Sequence, residues 1–138
     1  MPEIRTQHCH AAGRMAAMAS VPQSGPQHQA VYAGRSLAEW VPVVTARIFE
    51  RCDAKRIVVF GSVVRGEEHA GSDLDLIVVL DHVENSHQDA VRILRELRDL
   101  PVPVDVIVTD DERLTVQART PGVVRVALRE GTVVERAA

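Results

Sequence analysis

One stretch of the sequence, FGSVVRGEEHAGSDLDLIVVL at positions 60–80, strongly restricts how the chain can fold. A Gly-Ser pair, Gly61 and Ser62, directly follows an apolar run that has the character of a strand. After ten intervening residues, two aspartates, Asp73 and Asp75, lie at the start of a second apolar run. Carboxylates set into strand-like apolar sequence are costly unless a cation or a donor meets them. The sequence therefore predicts two strands joined by a turn, with a polar site between them.

The spacing of the aspartates predicts that they share one side of the sheet. Residues i and i+2 of a strand face the same way, with Cα atoms roughly 6.5–7 Å apart, so Asp73 and Asp75 can converge. Asp105 interrupts a third apolar run, PVDVIV, and joins them if the two strands lie side by side. Carboxylate oxygens suit Mg²⁺, which takes its remaining ligands from water and substrate phosphates. We predict a metal site formed by Asp73, Asp75 and Asp105 with two Mg²⁺ ions, which could activate an attacking oxygen and stabilise a leaving pyrophosphate. The alternative is that each aspartate only caps or turns the chain.

The Gly-Ser pair is the candidate phosphate contact. Glycine allows the backbone to approach a phosphate closely, and the serine hydroxyl and the N–H groups of the following turn can face an anion. Arg65 could reach the same triphosphate with two N–H groups. The chain contains neither GxxxxGK[ST] nor GxGxxG, so a P-loop or a dinucleotide-binding fold is not supported.

Composition limits the class of protein. At 138 residues the chain fits one domain. A net charge of −3, four aromatic residues and no lysine–arginine cluster argue against a dedicated nucleic-acid binder. No apolar run reaches the roughly 18 residues of a membrane span, and no secretory signal is evident. The chain has two cysteines, too few for a fold that depends on a framework of disulfide bonds. We expect a cytoplasmic protein without direct contact to nucleic acid or membrane.

Residues 1–34 show no periodicity and are predicted to be a disordered tail, and residues 35–138 to form the domain. Ser36 and Glu39 fit a capping box for the first helix, which Pro42 should kink or delay. The predicted strands are 56–60, 74–80, 104–108 and 132–135, and the later helices begin at Ser86, after a Thr109–Glu112 capping box, and at Pro121. The fold class is α/β (α+β), a small mixed sheet flanked by helices.

This pattern resembles the nucleotidyltransferases of the DNA polymerase beta superfamily, and among them the small stand-alone members called minimal nucleotidyltransferases. The resemblance covers about residues 36–138. It implies a polymerase-beta-like fold in which Asp73 and Asp75 hold Mg²⁺, and Asp105 completes the site and could act as the base. Gly61 and Ser62 would contact the nucleotide phosphates, and Arg65 matches a frequent arginine of the family. Many relatives carry a second arginine directly after the serine. In this chain that position is Val63, which removes one possible phosphate contact.

The resemblance also implies a partner. Minimal nucleotidyltransferases commonly act as antitoxins of type VII toxin–antitoxin modules, in which they transfer AMP from ATP to a tyrosine of a HEPN-domain toxin. The chain is short and lacks an acceptor domain, so this is the leading hypothesis, with an oligomer or hetero-complex expected. One alternative is adenylylation of a small hydroxylated molecule such as an antibiotic. The other is a non-catalytic antitoxin that neutralises its partner by binding alone.

Overall fold

The structure, a computed structural model, describes residues 3–5 and 31–137. Four of its strands are long enough to form a substantial sheet, and five helices connect or flank them. In chain order the elements are β1 (Glu3–Arg5), β2 (Val31–Tyr32), β3 (Arg35–Ser36), α1 (Leu37–Arg51), β4 (Ala54–Phe60), α2 (Ser62–Arg65), β5 (Leu74–Leu80), α3 (Ser86–Leu97), β6 (Val104–Asp110), α4 (Asp111–Gln117), α5 (Val123–Glu130) and β7 (Thr132–Glu135).

Five strands form one mixed sheet in the order β1-β7-β4-β5-β6. The β5–β6 pair is parallel, and the other neighbours are antiparallel. Helix α3 connects the two parallel strands, and β2 and β3 form a separate hairpin ahead of α1. The predicted fold class, a small mixed sheet flanked by helices, is confirmed. Because β5 runs parallel to β6 and antiparallel to β4, the last residues of β4 and the first residues of β5 and β6 lie at the same end of the strands.

The strands alternate between two apolar clusters, as a sheet covered on both faces requires. In β4, Ile57 and Val59 join the larger cluster with α1 and α3, whereas Val58 joins the smaller one with α5. In β5, Ile77 and Val79 face the α5 side. Asp75 has the same parity as these two residues. It therefore emerges on the α5 side of the sheet, just beyond the last apolar residue of that face.

The first helix begins with the predicted capping box. The Ser36 backbone N–H donates to Glu39 Oε1 at 2.8 Å, and the Glu39 N–H donates to Ser36 Oγ at 3.3 Å. The helix starts at Leu37 and continues through Pro42, so a delayed start is wrong. Pro42 removes only the hydrogen bond to the carbonyl of Ala38. Ala38 is exposed in the first turn, and water can satisfy that carbonyl.

Most other predicted elements are present with shifted ends. Strands β5 and β7 have the predicted bounds, and α2 is the single helical turn expected after the Gly-Ser pair. Asn85 rather than Ser86 caps α3, and Asp110 rather than Thr109 caps α4, because the side chains of Asn85 and Asp110 accept from the third N–H that follows. The last helix begins at Val123, two residues after Pro121.

Three short strands were not predicted. Strand β1 pairs with β7 at the edge of the sheet, and β2 pairs with β3. Elements of two or three residues leave no periodicity in a sequence. Residues 1–2, 6–30 and 138 lie outside the described part. The cluster His8–Cys9–His10, whose side chains could bind a metal but which a tail can contain by chance, therefore also lies outside it. The predicted limits of the tail and of the domain remain predictions. None of the described helices has both the length and the apolar character that a membrane span requires.

Candidate active site

The predicted acidic residues lie at the end of the sheet where β4 ends and where β5 and β6 begin. Phe60 is the Cα partner of Asp75, and Asp75 is in turn the Cα partner of Asp105. Neighbouring strands lie about 4.8 Å apart, so Asp75 and Asp105 stand next to each other. Asp73 comes immediately before β5, one residue outside the strand. The side-by-side placement of the two strands, which the sequence analysis required, is present.

Gly61 brings the Gly-Ser turn against this acidic group. Its φ of 85° lies in the left-handed region that favours glycine. A Cβ at this position would overlap Asp75 Oδ2 and would lie 3.1 Å from Asp75 Cγ. Two constraints therefore act on one residue, the backbone angle and the space that the Asp75 carboxylate occupies. The close approach joins the turn and the aspartate into one site.

A single helical turn follows this glycine. The N–H groups of Val64 and Arg65 donate to the Gly61 carbonyl at 3.1 and 3.2 Å, and Gly66 ends the turn in the left-handed conformation. Ser62 is the first residue of the turn and is half-buried. The first N–H groups of a helical turn have no partner within it. The turn therefore presents its N-terminal side at the edge where the aspartates lie.

The electrostatics of the site are those of crowded carboxylates. Burial raises the pKa of Asp75, and the negative charges of Asp105 and then Asp73 raise it further. Arg65 opposes these effects. Asp75 is half-buried, whereas Asp73 and Asp105 are exposed. The two other carboxylates, Asp73 and Asp105, therefore lie within electrostatic reach of Asp75, in a place where additional positive charge would be stabilising.

Arg65 is near the aspartates but is bound to other carboxylates. Its Nε donates to Glu67 Oε1 at 2.8 Å, and its Nη1 lies 3.6 Å from Glu130 Oε1. The bond to Glu67 is the main reason that the pKa of Arg65 is raised. A triphosphate that binds Arg65 must compete with Glu67 and Glu130 for the guanidinium.

The donor set fits a hard divalent cation. Asp73, Asp75 and Asp105 offer oxygen ligands only, as Mg²⁺ prefers, and their mutual repulsion favours a cation among them. In the described residues, however, no three Asp, Glu, His or Cys side chains are gathered closely enough to hold a metal in their present rotamers. Rotation of the exposed Asp73 and Asp105 side chains would be needed. A bound Mg²⁺ would neutralise phosphate charge and stabilise a leaving pyrophosphate.

Comparison with known proteins identifies the family. The profile of the nucleotidyltransferase domain matches residues 45–134, which include the Gly-Ser turn and all three aspartates. The chain belongs to the nucleotidyltransferase domain family. That family is part of the polymerase beta superfamily.

Two further comparisons accompany the family match. The chain is similar to a protein of Sulfolobus solfataricus that is provisionally named a nucleotidyltransferase, with 26% identity and a TM-score of 0.39 over 58% of this chain and 69% of the other. No curated protein matches the chain.

In this nucleotidyltransferase, hydrogen bonds to Ser72 fix the loop that carries Asp73. The Tyr32 hydroxyl donates to the Ser72 carbonyl at 3.0 Å. The Ser72 hydroxyl accepts from the His69 N–H at 2.9 Å, and the Ser72 N–H donates to the His69 carbonyl at 2.8 Å. Glu68 is partly buried beside the Leu37 N–H; burial raises the pKa of Glu68, and that N–H partly offsets the increase.

Sequence reasoning missed several of these residues. Tyr32 falls within the tail predicted for residues 1–34, and the polar run that contains Glu67 and Glu68 carries no motif that predicts a contact. Glu130 ends α5, 65 positions away from Arg65 in the sequence, and no motif connects the two. The charge of Glu67 two residues after an expected phosphate-binding arginine was the one available signal. Tyr32 left none.

Proposed function

We propose that this nucleotidyltransferase uses Mg²⁺ and ATP to transfer AMP to a tyrosine hydroxyl of a partner HEPN-domain toxin, and so acts as the antitoxin of a type VII toxin–antitoxin module. The observation that carries the proposal is the row of Phe60, Asp75 and Asp105 across three strands, with the Asp75 carboxylate against Gly61. This arrangement supports a site at which a triphosphate and an acceptor hydroxyl meet carboxylate ligands.

The residues support defined roles in that reaction. The acceptor oxygen forms a bond to the α-phosphorus of ATP while the bond from that phosphorus to the bridging oxygen breaks, and pyrophosphate leaves. Asp105 takes the proton of the acceptor hydroxyl, since its carboxylate is exposed and adjacent to Asp75. Gly61, Ser62 and Arg65 hold the phosphates. Such reactions depend on positioning and charge neutralisation more than on covalent protein chemistry.

A macromolecular acceptor fits the openness of the site. Asp73 and Asp105 are exposed at the end of the sheet, and the loop that precedes Asp73, residues 67–72, is polar. A small acceptor usually needs a concave pocket that buries most of its surface. A tyrosine on a folded partner carries its own binding surface. The assignment of that partner as a HEPN protein rests on the resemblance to the minimal nucleotidyltransferases.

The test uses the full chain, ATP, Mg²⁺ and the product of the neighbouring gene, which the proposal expects to be a HEPN-domain protein. Intact-mass spectrometry of the HEPN protein should show the addition of AMP, and peptide mapping should locate it on a tyrosine. The Asp73→Asn/Asp75→Asn double variant should abolish the adduct. Asp81→Asn is the matched control, since Asp81 is an exposed aspartate at the opposite end of β5. An unmodified partner under all conditions would remove the proposal.

Neutralisation by binding alone is the second candidate, and two observations favour it. Val63 occupies the position of a second arginine in many relatives, and Arg65 is bound to Glu67. Both features reduce the number of cationic groups that are free to bind a triphosphate, and so should lower the affinity for it. If the Asp73→Asn/Asp75→Asn variant still neutralises the ribonuclease activity of the HEPN protein, binding alone is sufficient. If neutralisation requires both aspartates and ATP, catalysis is required.

A further inference from the structure

We propose that the β2–β3 hairpin is a support for the magnesium site and that Tyr32 is a positioning residue for Asp73. The inference rests on the proposed Mg²⁺-dependent function, and it adds a residue that lies ahead of the region matched by the family profile. Asp73 needs such a support because it lies before β5 and outside the strand ladder.

Two hydrogen bonds fix the backbone on both sides of Asp73. The Tyr32 hydroxyl binds the Ser72 carbonyl at 3.0 Å, which orients the peptide that precedes Asp73. The Leu74 N–H donates to the Pro103 carbonyl at 2.9 Å, which orients the peptide that follows it. Both peptide planes that flank the Asp73 Cα are therefore anchored. The direction in which the Asp73 side chain leaves the backbone depends on these two bonds.

The supporting hydroxyl lies behind the site rather than in it. Tyr32 packs against the larger apolar cluster, on the side of the sheet covered by α1 and α3. Ser72 is buried and has the parity of Leu74 and Leu76, which face the same cluster. Asp75 emerges on the opposite, α5, side. Tyr32 can therefore position the loop without contacting a nucleotide.

Tyr32 is itself held in place. The indole N–H of Trp40 donates to the Tyr32 carbonyl at 2.8 Å, and Trp40 is buried. The guanidinium of Arg35 lies over the Trp40 ring, 4.9 Å from its centroid. Ala33 and Gly34 form the turn with positive φ angles of 49° and 80°, as the tight turns of two-residue hairpins require. The hydroxyl therefore comes from a pre-organised element.

Removal of the hydroxyl should weaken metal binding while the fold is kept. Tyr32→Phe retains the ring and its packing and frees the Ser72 carbonyl, so the Ser72–Asp73 peptide can rotate. Residues that orient metal ligands typically contribute about 10-fold or more to metal affinity. We expect Mg²⁺ to bind Tyr32→Phe about 10-fold more weakly than the wild type, on the same scale.

The measurement is calorimetric titration of Mg²⁺ into the full chain with α,β-methylene-ATP, whose α–β bridge cannot be cleaved. Thr120→Val is the matched control, because the Thr120 hydroxyl also donates to a backbone carbonyl, that of Val116, at 2.8 Å, and Thr120 lies between α4 and α5, outside the turn, strands and loop that carry the site residues. This control should bind Mg²⁺ as the wild type does. In turnover assays, Tyr32→Phe should need more Mg²⁺ for half-maximal rate and approach the wild-type kcat at saturating Mg²⁺, a split that a loss of folded protein would not give.

A second variant guards against an uninformative result. Trp40→Phe removes the indole N–H that holds the Tyr32 carbonyl and should weaken Mg²⁺ binding in the same direction, to a smaller extent. Equal Mg²⁺ affinity of Tyr32→Phe and wild type would overturn the positioning role and leave the proposed function intact. Absence of Mg²⁺ binding by the wild type would overturn both, and the AMP-transfer assay would fail independently.

Discussion

Carboxylates lie at both ends of β6, and their surroundings are opposite. At the beginning of the strand, Asp105 lies beside Asp75, and the two repel each other and Asp73. At its end, Asp110 is buried and accepts the Val83 N–H at 3.0 Å and the Arg113 N–H at 2.8 Å. These two donors lower the pKa of Asp110, the Arg113 N–H most, whereas the pKa of Asp75 is raised.

The difference shows that Asp110 stabilises the fold, whereas the charged form of Asp75 is disfavoured by its surroundings. Asp110 caps α4 and ties the loop before α3 to the sheet, and the fold supplies all of its partners. Asp75 has like charges for neighbours, and Arg65 is the opposing charge among the described residues. Carboxylates that lie close together despite their mutual repulsion are typical of functional sites, where a bound ligand can offset the repulsion. Substitutions of Asp75, beside the beginning of β6, and of Asp110, at its end, should therefore change different properties of the protein.

The largest effect is expected for Asp75→Asn. The change removes a carboxylate from the centre of the acidic group, and nucleotidyl transfer should fall by about 10²–10³-fold or more, as when one essential electrostatic group is lost from an active site. The melting temperature in metal-free buffer should be unchanged or higher, because the substitution removes repulsion with Asp105 and Asp73. Rates from radiolabelled ATP and melting curves by circular dichroism are the measurements.

Asp81→Asn is the control for this change, since it alters an exposed aspartate at the far end of the same strand. A clear fall in the melting temperature of Asp75→Asn would contradict the comparison, because it would show that Asp75 stabilises the fold as Asp110 does.

Gly61→Ala should damage both activity and stability. With φ 85° and ψ −157°, Gly61 lies in a backbone region that is essentially restricted to glycine and costs an L-residue on the order of 1–3 kcal/mol, and the added Cβ must displace the Asp75 carboxylate. Gly34→Ala is the matched control, because Gly34 has a φ of 80° and nothing within 4 Å of an added Cβ. The difference in unfolding free energy between the two variants, from urea denaturation, measures the contact with Asp75 together with the stricter backbone requirement at Gly61. Equal losses would mean that the carboxylate moves aside freely.

The sequence was sufficient for the elements with strong local signals. The run from Leu74 to Leu80 is apolar except at Asp75, which predicts a buried strand, and the Ser36–Glu39 capping box marks the start of the first helix by its own hydrogen bonds. The pairing of Asp75 with Asp105 followed from requiring one acidic site. The support by Tyr32 and the Arg65–Glu130 contact could not be predicted, because they join residues 40 and 65 positions apart by single side-chain contacts. Such contacts depend on the assembled sheet.

Asp110→Ala should lower stability and leave the site intact. The substitution removes the acceptor of two backbone N–H groups, so the melting temperature should fall by several degrees while the affinity for Mg²⁺ and nucleotide is unchanged. Because the folded pKa of Asp110 is lowered, its contribution is complete above the ordinary aspartate pKa and disappears as pH falls through the lowered value. The difference between variant and wild type should therefore shrink in acid, as urea denaturation at several pH values would show. A constant difference at all pH values would mean that the charge plays no part.

The smallest effect is expected for Glu67→Gln, which frees Arg65 from its shorter ion pair. Exposed ion pairs contribute little to stability, so the melting temperature should not change. The apparent KM for ATP should fall by about two- to fivefold, the equivalent of one weak ion pair that no longer competes with the triphosphate. Glu96→Gln is the control, because Glu96 forms a comparable exposed pair with Arg51 on the far side of the molecule. A rise in KM would show the reverse relation: Glu67 would then orient Arg65 towards the phosphates, and this carboxylate would belong with the supports of the site, as Ser72 and Tyr32 do.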